Sequence, residues 1–264
     1  MQNEAFAKLG YDYAYLAFEV GADEIGDAVK AIRTLKMRGS NVSMPNKTLV
    51  GQYLDELSPA AEMCGAVNTI VNEDGKLVGH ITDGIGFVRN LKEHGVDVKG
   101  KKMVVLGAGG AATALTVQCA LDGAASIAIF NPNDPFLDRA KGTAEKLAKE
   151  VPDCKVSVYC LDDQDKLREE IANADILANG TLAGMKPHEE LTLIKDKSMF
   201  RPDLVVADVV YNPAETRMVK EAKEAGCKLA IGGKGMLLWQ GAAAYKLYTG
   251  LEMPTCLLYT SDAA

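Results

Sequence analysis

The segment Met103 to Phe130, MVVLGAGGAATALTVQCALDGAASIAIF, limits the possible folds more than any other part of this chain. It reads as a buried apolar strand, a glycine turn, a helix and a second strand, which is a βαβ unit. Strand-like runs recur at Lys155 to Cys160, Asp175 to Ala178, Leu204 to Val210 and Lys228 to Ile231, with helical stretches between them. That alternation predicts an α/β fold containing a doubly wound parallel sheet of Rossmann type. Within it, Gly107-Ala108-Gly109-Gly110-Ala111-Ala112 fits the form G-x-G-x-x-G/A. Gly107 suits the tight turn, Gly109 the close approach of a pyrophosphate, and Ala112 the packing of helix on strand, with the phosphates at the helix N-terminus. The competing reading is a glycine-rich packing turn that holds no ligand.

After the second strand of such a unit, the chain meets the adenosine ribose of a dinucleotide. Here the segment is Asn131-Pro132-Asn133-Asp134, with neither arginine nor lysine to receive a 2′-phosphate. Asp134 would repel that phosphate and accept hydrogen bonds from ribose hydroxyls, so NAD is favoured and NADP is the alternative. Asp134 followed by Pro135 also reads as a helix N-cap, and the two roles are compatible.

Length allows two modest domains or one large one. The first third suggests a separate layered unit. Tyr13 to Val20 reads as a strand, Ala22 to Met37 as a helix and Ser40 to Met44 as a second strand, a β-α-β pattern. Pro45 suits the first turn of a helix running to about Leu57. Val67 to Val71 and Leu77 to Ile81, joined through Asn72-Glu73-Asp74-Gly75, read as a hairpin. Asp83 stands where a helix begins, and that helix ends at Gly95. The polar stretch Asp97 to Lys102 is the expected boundary, giving residues 1–96 as one domain, 97–235 as the dinucleotide domain, and 236–254 as a helix returning to the first.

Hydrophobic residues make up 48% of the chain and charged residues 25%, enough for a packed core and against disorder. Twenty-nine Lys and Arg against 36 Asp and Glu leave a net charge of −7, with no basic stripe suited to nucleic acid. No apolar run reaches the roughly 18 residues of a membrane span, and Met1 is followed by Gln-Asn-Glu instead of a leader. Six cysteines without a C-x-x-C pair suggest reduced thiols in a cytoplasmic protein. His80, His94 and His188 are scattered, so no metal site is expected.

The segment Asn41-Val42-Ser43-Met44-Pro45-Asn46-Lys47 places a hydroxyl and an ammonium at a strand-to-helix junction, where α/β ligand sites lie. Taken alone, Lys47 reads as a solvated charge. Together with GAVNT, TDGIGF, GAGGAA, VVYNP and GKGMLLWQGAAAYKLYTG, the segment resembles the shikimate dehydrogenases in order and spacing, from Asn3 to about Pro254. NGTLAGMKP, MLLWQG and the lack of Asn-Arg-Thr after Phe130 look closest to the quinate/shikimate branch.

That resemblance implies a two-domain enzyme, an N-terminal α/β substrate domain plus the Rossmann domain. It would transfer a hydride between NAD(P) and the C3 hydroxyl of shikimate or quinate. Lys47 and Asp83 match the family's catalytic pair, the lysine exchanging the hydroxyl proton and the carboxylate orienting lysine and substrate. A plain helix-start role for Asp83 is compatible. Ser43, Asn68 and Gln240 match substrate-binding positions, with Tyr15 as a further contact. Gly107, Ala108, Gly109, Gly110 and Ala111 match the pyrophosphate turn, and Asn131, Pro132, Asn133 and Asp134 the ribose segment. Lys186, Val209, Val210, Tyr211, Asn212 and Gly233 match later cofactor contacts. Bland alternatives stand beside these: Tyr15 as core, Lys186 as a solvated charge, Asn212-Pro213 as a turn.

Family members usually begin some twenty residues earlier, with a strand and a pair of serines for the substrate carboxylate. The expectation is therefore an N-terminally truncated substrate domain with an exposed sheet edge, and residues 255–264 (TCLLYTSDAA) as a tail foreign to the family. A nucleotide-binding module without turnover, truncated or regulatory, is the alternative function. The resemblance leaves monomer and homodimer both open.

Overall fold

A computed structural model describes residues 1–255, so most of the expected foreign tail, residues 256–264, lies outside the described residues. The chain forms two compact units, one of residues 1–82 with those from Leu238 onward, the other of residues 83–237.

The first unit contains α1 (Gln2–Lys8), α2 (Ile25–Thr34), β1 (Gly39–Asn41), β2 (Glu56–Leu57), α3 (Pro59–Cys64), β3 (Thr69–Glu73) and β4 (Lys76–His80). Its sheet has the order β1-β3-β4-β2, with β3 antiparallel to both β1 and β4, and β2 parallel to β4. The expected hairpin is β3-β4. Asp74 (φ 52°) and Gly75 (φ 100°) both take the left-handed conformation that a two-residue turn of this hand requires, and Asn72 Oδ1 accepts the Gly75 N–H at 2.7 Å. On α2, Ile25, Val29 and Ile32 recur at helical spacing and are the buried residues of that helix.

Two expectations fail here. Tyr13 to Val20 is no strand: its backbone joins no ladder, and Tyr15 instead exchanges two bonds with the Asn3 side chain, at 2.6 and 2.9 Å. No continuous helix follows Pro45. The chain makes two 3-10 turns, Asn46–Thr48 and Val50–Tyr53, because the Lys47 carbonyl that a helix would bond internally accepts the Val67 N–H at 2.8 Å.

The second unit contains α4 (Asp83–Glu93), β5 (Lys102–Leu106), α5 (Gly110–Leu121), β6 (Ser126–Asn131), α6 (Pro135–Glu150), β7 (Lys155–Cys160), α7 (Gln164–Asn173), β8 (Ile176–Asn179), β9 (Val205–Asp208), α8 (Arg217–Glu224), β10 (Leu229–Ile231) and the start of α9 (Lys234–Thr249). The strands pair in parallel in the order β10-β9-β8-β5-β6-β7, so the direction of winding reverses between β5 and β8. Ligands of such sheets bind outside the strand C-termini at this switch point. One face of the sheet supplies Val104, Leu106, Phe130, Leu177 and Val206 to a core completed by Leu167 and Ile171 of α7 and Met218 of α8. Fully burying such a side chain contributes about 1.5–3 kcal/mol. Within this unit α4 lies against α5: a Cβ on Gly84 would fall 2.4 Å from the Ala114 carbonyl oxygen.

Candidate active site

In the second unit, Gly107 turns the chain out of β5 at φ 97°, a conformation that disfavours any side chain, while its N–H donates to the Phe130 carbonyl at 2.7 Å. A Cβ there would also meet the Thr181 methyl at 2.4 Å. A Cβ on Gly180 would lie 2.6 Å from that of Ala112, so the small residue of the sixth motif position sits where chain and helix touch. Gly109 and Gly110 face open space. Helices α6, α7 and α8 are capped by Asp134, Asp163 and Thr216, whereas α5 starts at Gly109 with no side-chain cap. Its first N–H groups and the positive end of its dipole are thus presented at an uncrowded turn, which fits a pyrophosphate.

At the end of β6, Asn131 is buried and its Nδ2 donates to Asp134 Oδ1 at 2.7 Å. The same oxygen accepts the Phe136 N–H at 2.9 Å, so the N-cap role of Asp134 is real, and Pro132, Asn133 and Asp134 are exposed. Lys186 is exposed and ion-paired with Glu189 at 3.7 Å, while its N–H donates to the Asn212 carbonyl at 3.2 Å, which joins two of the expected segments. Val210 is buried, Tyr211 exposed, and the Gly233 N–H donates to the Val210 carbonyl at 2.8 Å. Asp83 is the first residue of α4, where a carboxylate interacts favourably with the helix dipole.

In the first unit, Asn68 is 3% exposed. Its Oδ1 accepts the Thr82 N–H at 2.9 Å and the Thr69 hydroxyl at 2.9 Å, and its Nδ2 donates to Thr82 Oγ1 at 3.1 Å. The Thr82 hydroxyl also donates to Gln240 Oε1 at 3.4 Å. Tyr15 is not core: its ring is partly exposed, and its hydroxyl donates to Asn41 Oδ1 at 3.0 Å, with burial pushing its pKa up. The Asn41 amide donates to the Asn68 carbonyl at 3.2 Å and to Thr69 Oγ1 at 3.0 Å. Tyr15, Asn68 and Gln240 are therefore linked in one polar cluster. Ser43 is exposed and Lys47 half-buried on the neighbouring turn, whose Asn46 N–H donates to the Ser43 carbonyl at 3.0 Å.

Reasoning from sequence passed over the brackets of this cluster, Asn41, Thr69 and Thr82. Each stands at the end of a motif already noticed, first in NVSMPNK, last in GAVNT and first in TDGIGF. It also passed over Asp208, a buried carboxylate at the end of β9, for which the only signal is an acidic residue closing an apolar strand.

Among the described residues, no group of three His, Cys, Asp or Glu is placed to hold a metal ion, and no helix is long and apolar enough to cross a membrane.

Residues 1–70 match the model of the shikimate dehydrogenase substrate binding domain, and residues 233–255 that of the shikimate 5′-dehydrogenase C-terminal domain. The NADP(+) shikimate dehydrogenase of Listeria monocytogenes serotype 4b (strain F2365) is 55% identical over 254 residues, 96% of this chain and 87% of the relative. The shikimate 5-dehydrogenase of Listeria monocytogenes, solved in complex with shikimate and NAD, superposes with a TM-score of 0.94 at 54% identity, covering 97% of this chain and 88% of that one. The quinate dehydrogenase of Corynebacterium glutamicum, solved with NAD, is more distant, with a TM-score of 0.85 at 29% identity over 97% of this chain and 90% of that one. With more than half of its residues shared along nearly its whole length, the chain belongs to the shikimate dehydrogenase family of oxidoreductases.

Proposed function

We propose that the chain interconverts shikimate or quinate with the corresponding 3-dehydro compound, using NAD in preference to NADP. The observation that carries this reading is the TM-score of 0.94 to a protein solved with shikimate and NAD. When bound, the dinucleotide supplies the hydride acceptor or donor. Lys47 exchanges the proton of the C3 hydroxyl, which must leave as the hydride does, and Asp83 orients the ammonium and the substrate. Ser43, Asn68, Gln240 and Tyr15 hold the polyol and its carboxylate. Gly107 to Ala111 cradle the pyrophosphate, Asn131 to Asp134 the adenosine ribose, and Lys186, Val209 to Asn212 and Gly233 the rest of the dinucleotide. Residues 1–96 and 236–254 serve the substrate and residues 97–235 the cofactor, in a cytoplasmic monomer or homodimer.

The test is the initial rate of cofactor reduction at ~340 nm with NAD or NADP against shikimate or quinate. Turnover with NAD and at least one of the two acids is the expected result; dinucleotide binding without turnover on either acid would overturn the reading.

The cofactor preference has its own test in Asp134→Ser, because serine keeps the N-cap while removing the charge. The variant should gain about tenfold in kcat/KM for NADP relative to NAD, the size of one relieved charge repulsion near a surface. An unchanged ratio would place the selectivity elsewhere.

A further inference from the structure

Asp208 is 2% exposed and has no part in the chemistry above. Its Oδ1 accepts from Asn179 Nδ2 at 2.9 Å and from the Val210 N–H at 2.9 Å, and its Oδ2 accepts from the Thr216 hydroxyl at 2.6 Å. The bonds continue on both sides. Val210 in turn accepts from Gly233, whose missing Cβ would lie 2.1 Å from the Val209 carbonyl oxygen. Asn179 Oδ1 accepts the N–H of Thr181 at 3.1 Å and its hydroxyl at 2.7 Å, and it is the Thr181 methyl that meets Gly107. One buried carboxylate thus reaches the Val209–Tyr211 segment directly, the Gly233 backbone through Val210, and the glycine turn through Asn179 and Thr181.

We propose that Asp208 is a positioning residue that holds these three segments in register as a dinucleotide cradle, acting through hydrogen-bond geometry and not through its charge. The proposal rests on the dinucleotide reading above. The groups that bond the carboxylate are uncharged: the Asn179 amide, the Val209 and Val210 N–H groups and the Thr216 hydroxyl. Desolvation by burial pushes the carboxyl up to about 6. When protonated, Oδ2–H donates to Thr216 Oγ1 while Oδ1 still accepts from Asn179 and Val210, so no bond of the set is lost. Asparagine can reproduce that protonated pattern with its NH2 toward Thr216, and alanine cannot.

Because the folded-state pKa lies above the ordinary 3.8, this group's contribution to stability is fully present below about pH 4 and is lost as pH rises through about 6. Asp208→Asn should flatten that dependence without loosening the cradle.

The experiment measures NAD+ affinity by calorimetry at two pH values on either side of the Asp208 pKa, the KM for shikimate, and amide hydrogen exchange of the ligand-free protein, for wild type, Asp208→Asn and Asp208→Ala. Asp208→Asn should bind NAD+ within about threefold of wild type at both pH values, whereas Asp208→Ala should bind about tenfold more weakly, having lost the shared acceptor. In Asp208→Ala, exchange should accelerate at Thr181, Val210 and Gly233 but not in β5 or β6, with the KM for shikimate nearly unmoved. Wild-type affinity in the folded alanine variant, or equal loss in both variants, would overturn the proposal. If Asp208→Ala does not fold, Asn179→Ala takes its place, and wild-type affinity there is equally fatal. Failure of wild type itself to bind NAD+ or NADP+ would overturn the dinucleotide reading instead, and the exchange pattern would still decide whether Asp208 orders these segments.

Discussion

Replacing Lys47 by alanine is expected to lower kcat by about 10²–10⁴-fold, the usual worth of a positioned proton donor or acceptor. The residue's main chain is fixed independently of its side chain, since the Lys47 carbonyl accepts the Val67 N–H and the neighbouring Asn46 is buried, with its Nδ2 on the Val20 carbonyl at 2.9 Å. Truncation should therefore remove the ammonium and leave the turn in place. Every residue proposed for the dinucleotide lies in the unit of residues 83–237, so NAD+ affinity should stay at the wild-type value. Lys47→Arg is no rescue, because a guanidinium stays protonated at working pH and cannot take up the hydroxyl proton. Single-turnover rates beside calorimetric titration with NAD+ check all of this. A variant keeping a tenth or more of the wild-type rate would remove Lys47 from the proton transfer.

Gly233→Ala should be strongly damaging to the unit of residues 83–237. An added Cβ would stand 2.1 Å from the Val209 carbonyl oxygen and 2.9 Å from the Val210 carbonyl carbon, both main-chain atoms that cannot rotate away. The cost is overpacking, about 1–3 kcal/mol of stability, together with displacement of the Val209–Tyr211 backbone. Gly226→Ala is the matching control for a loop glycine with φ 73° and no neighbour within 4 Å, where only backbone strain is added. Thermal unfolding and NAD+ titration should show Gly233→Ala losing affinity as well as stability, and Gly226→Ala losing stability alone. Equal affinities in the two variants would show that the backbone near Gly233 does not shape the cradle.

The readable part of the fold is the parallel sheet, whose central strands are buried on both faces. MVVL and SIAIF are continuous apolar runs because parallel strands covered on both sides have no solvent face to mark with polar residues, and β7 occupies the same span, Lys155 to Cys160, that the pattern marks. The Tyr13 to Val20 run has the same look and another cause. Leu16 and Phe18 are two-thirds exposed, and no neighbouring backbone pairs with the segment, a condition that residue pattern alone cannot register. Of the site, the glycine turn was legible because positive φ and close approach demand specific residues. The Asn68 cluster was legible only as motif letters: that Thr82 joins Asn68 to Gln240 depends on a contact spanning 158 positions. Asp208 was illegible for a related reason, since its partners Asn179 and Thr216 lie on different elements, at the end of β8 and at the N-cap of α8.

The layout of the chain also sets an order of assembly during synthesis. Residues 83–237 form an uninterrupted stretch and can fold as soon as they have left the ribosome. The first unit cannot finish at that stage. Ala5 and Phe6 of its core pack with Ala242, Tyr245 and Met253, and the Gln2 side chain donates to the Gly241 carbonyl, 239 positions away. The segment around Phe6 must wait, with Phe6 uncovered, until α9 emerges, so it is made before the unit of residues 83–237 and completed after it. A holdase should therefore find a binding site around Phe6 of the nascent chain, and a released chain ending before Leu238 should hold a finished unit of residues 83–237 tethered to an unfinished one.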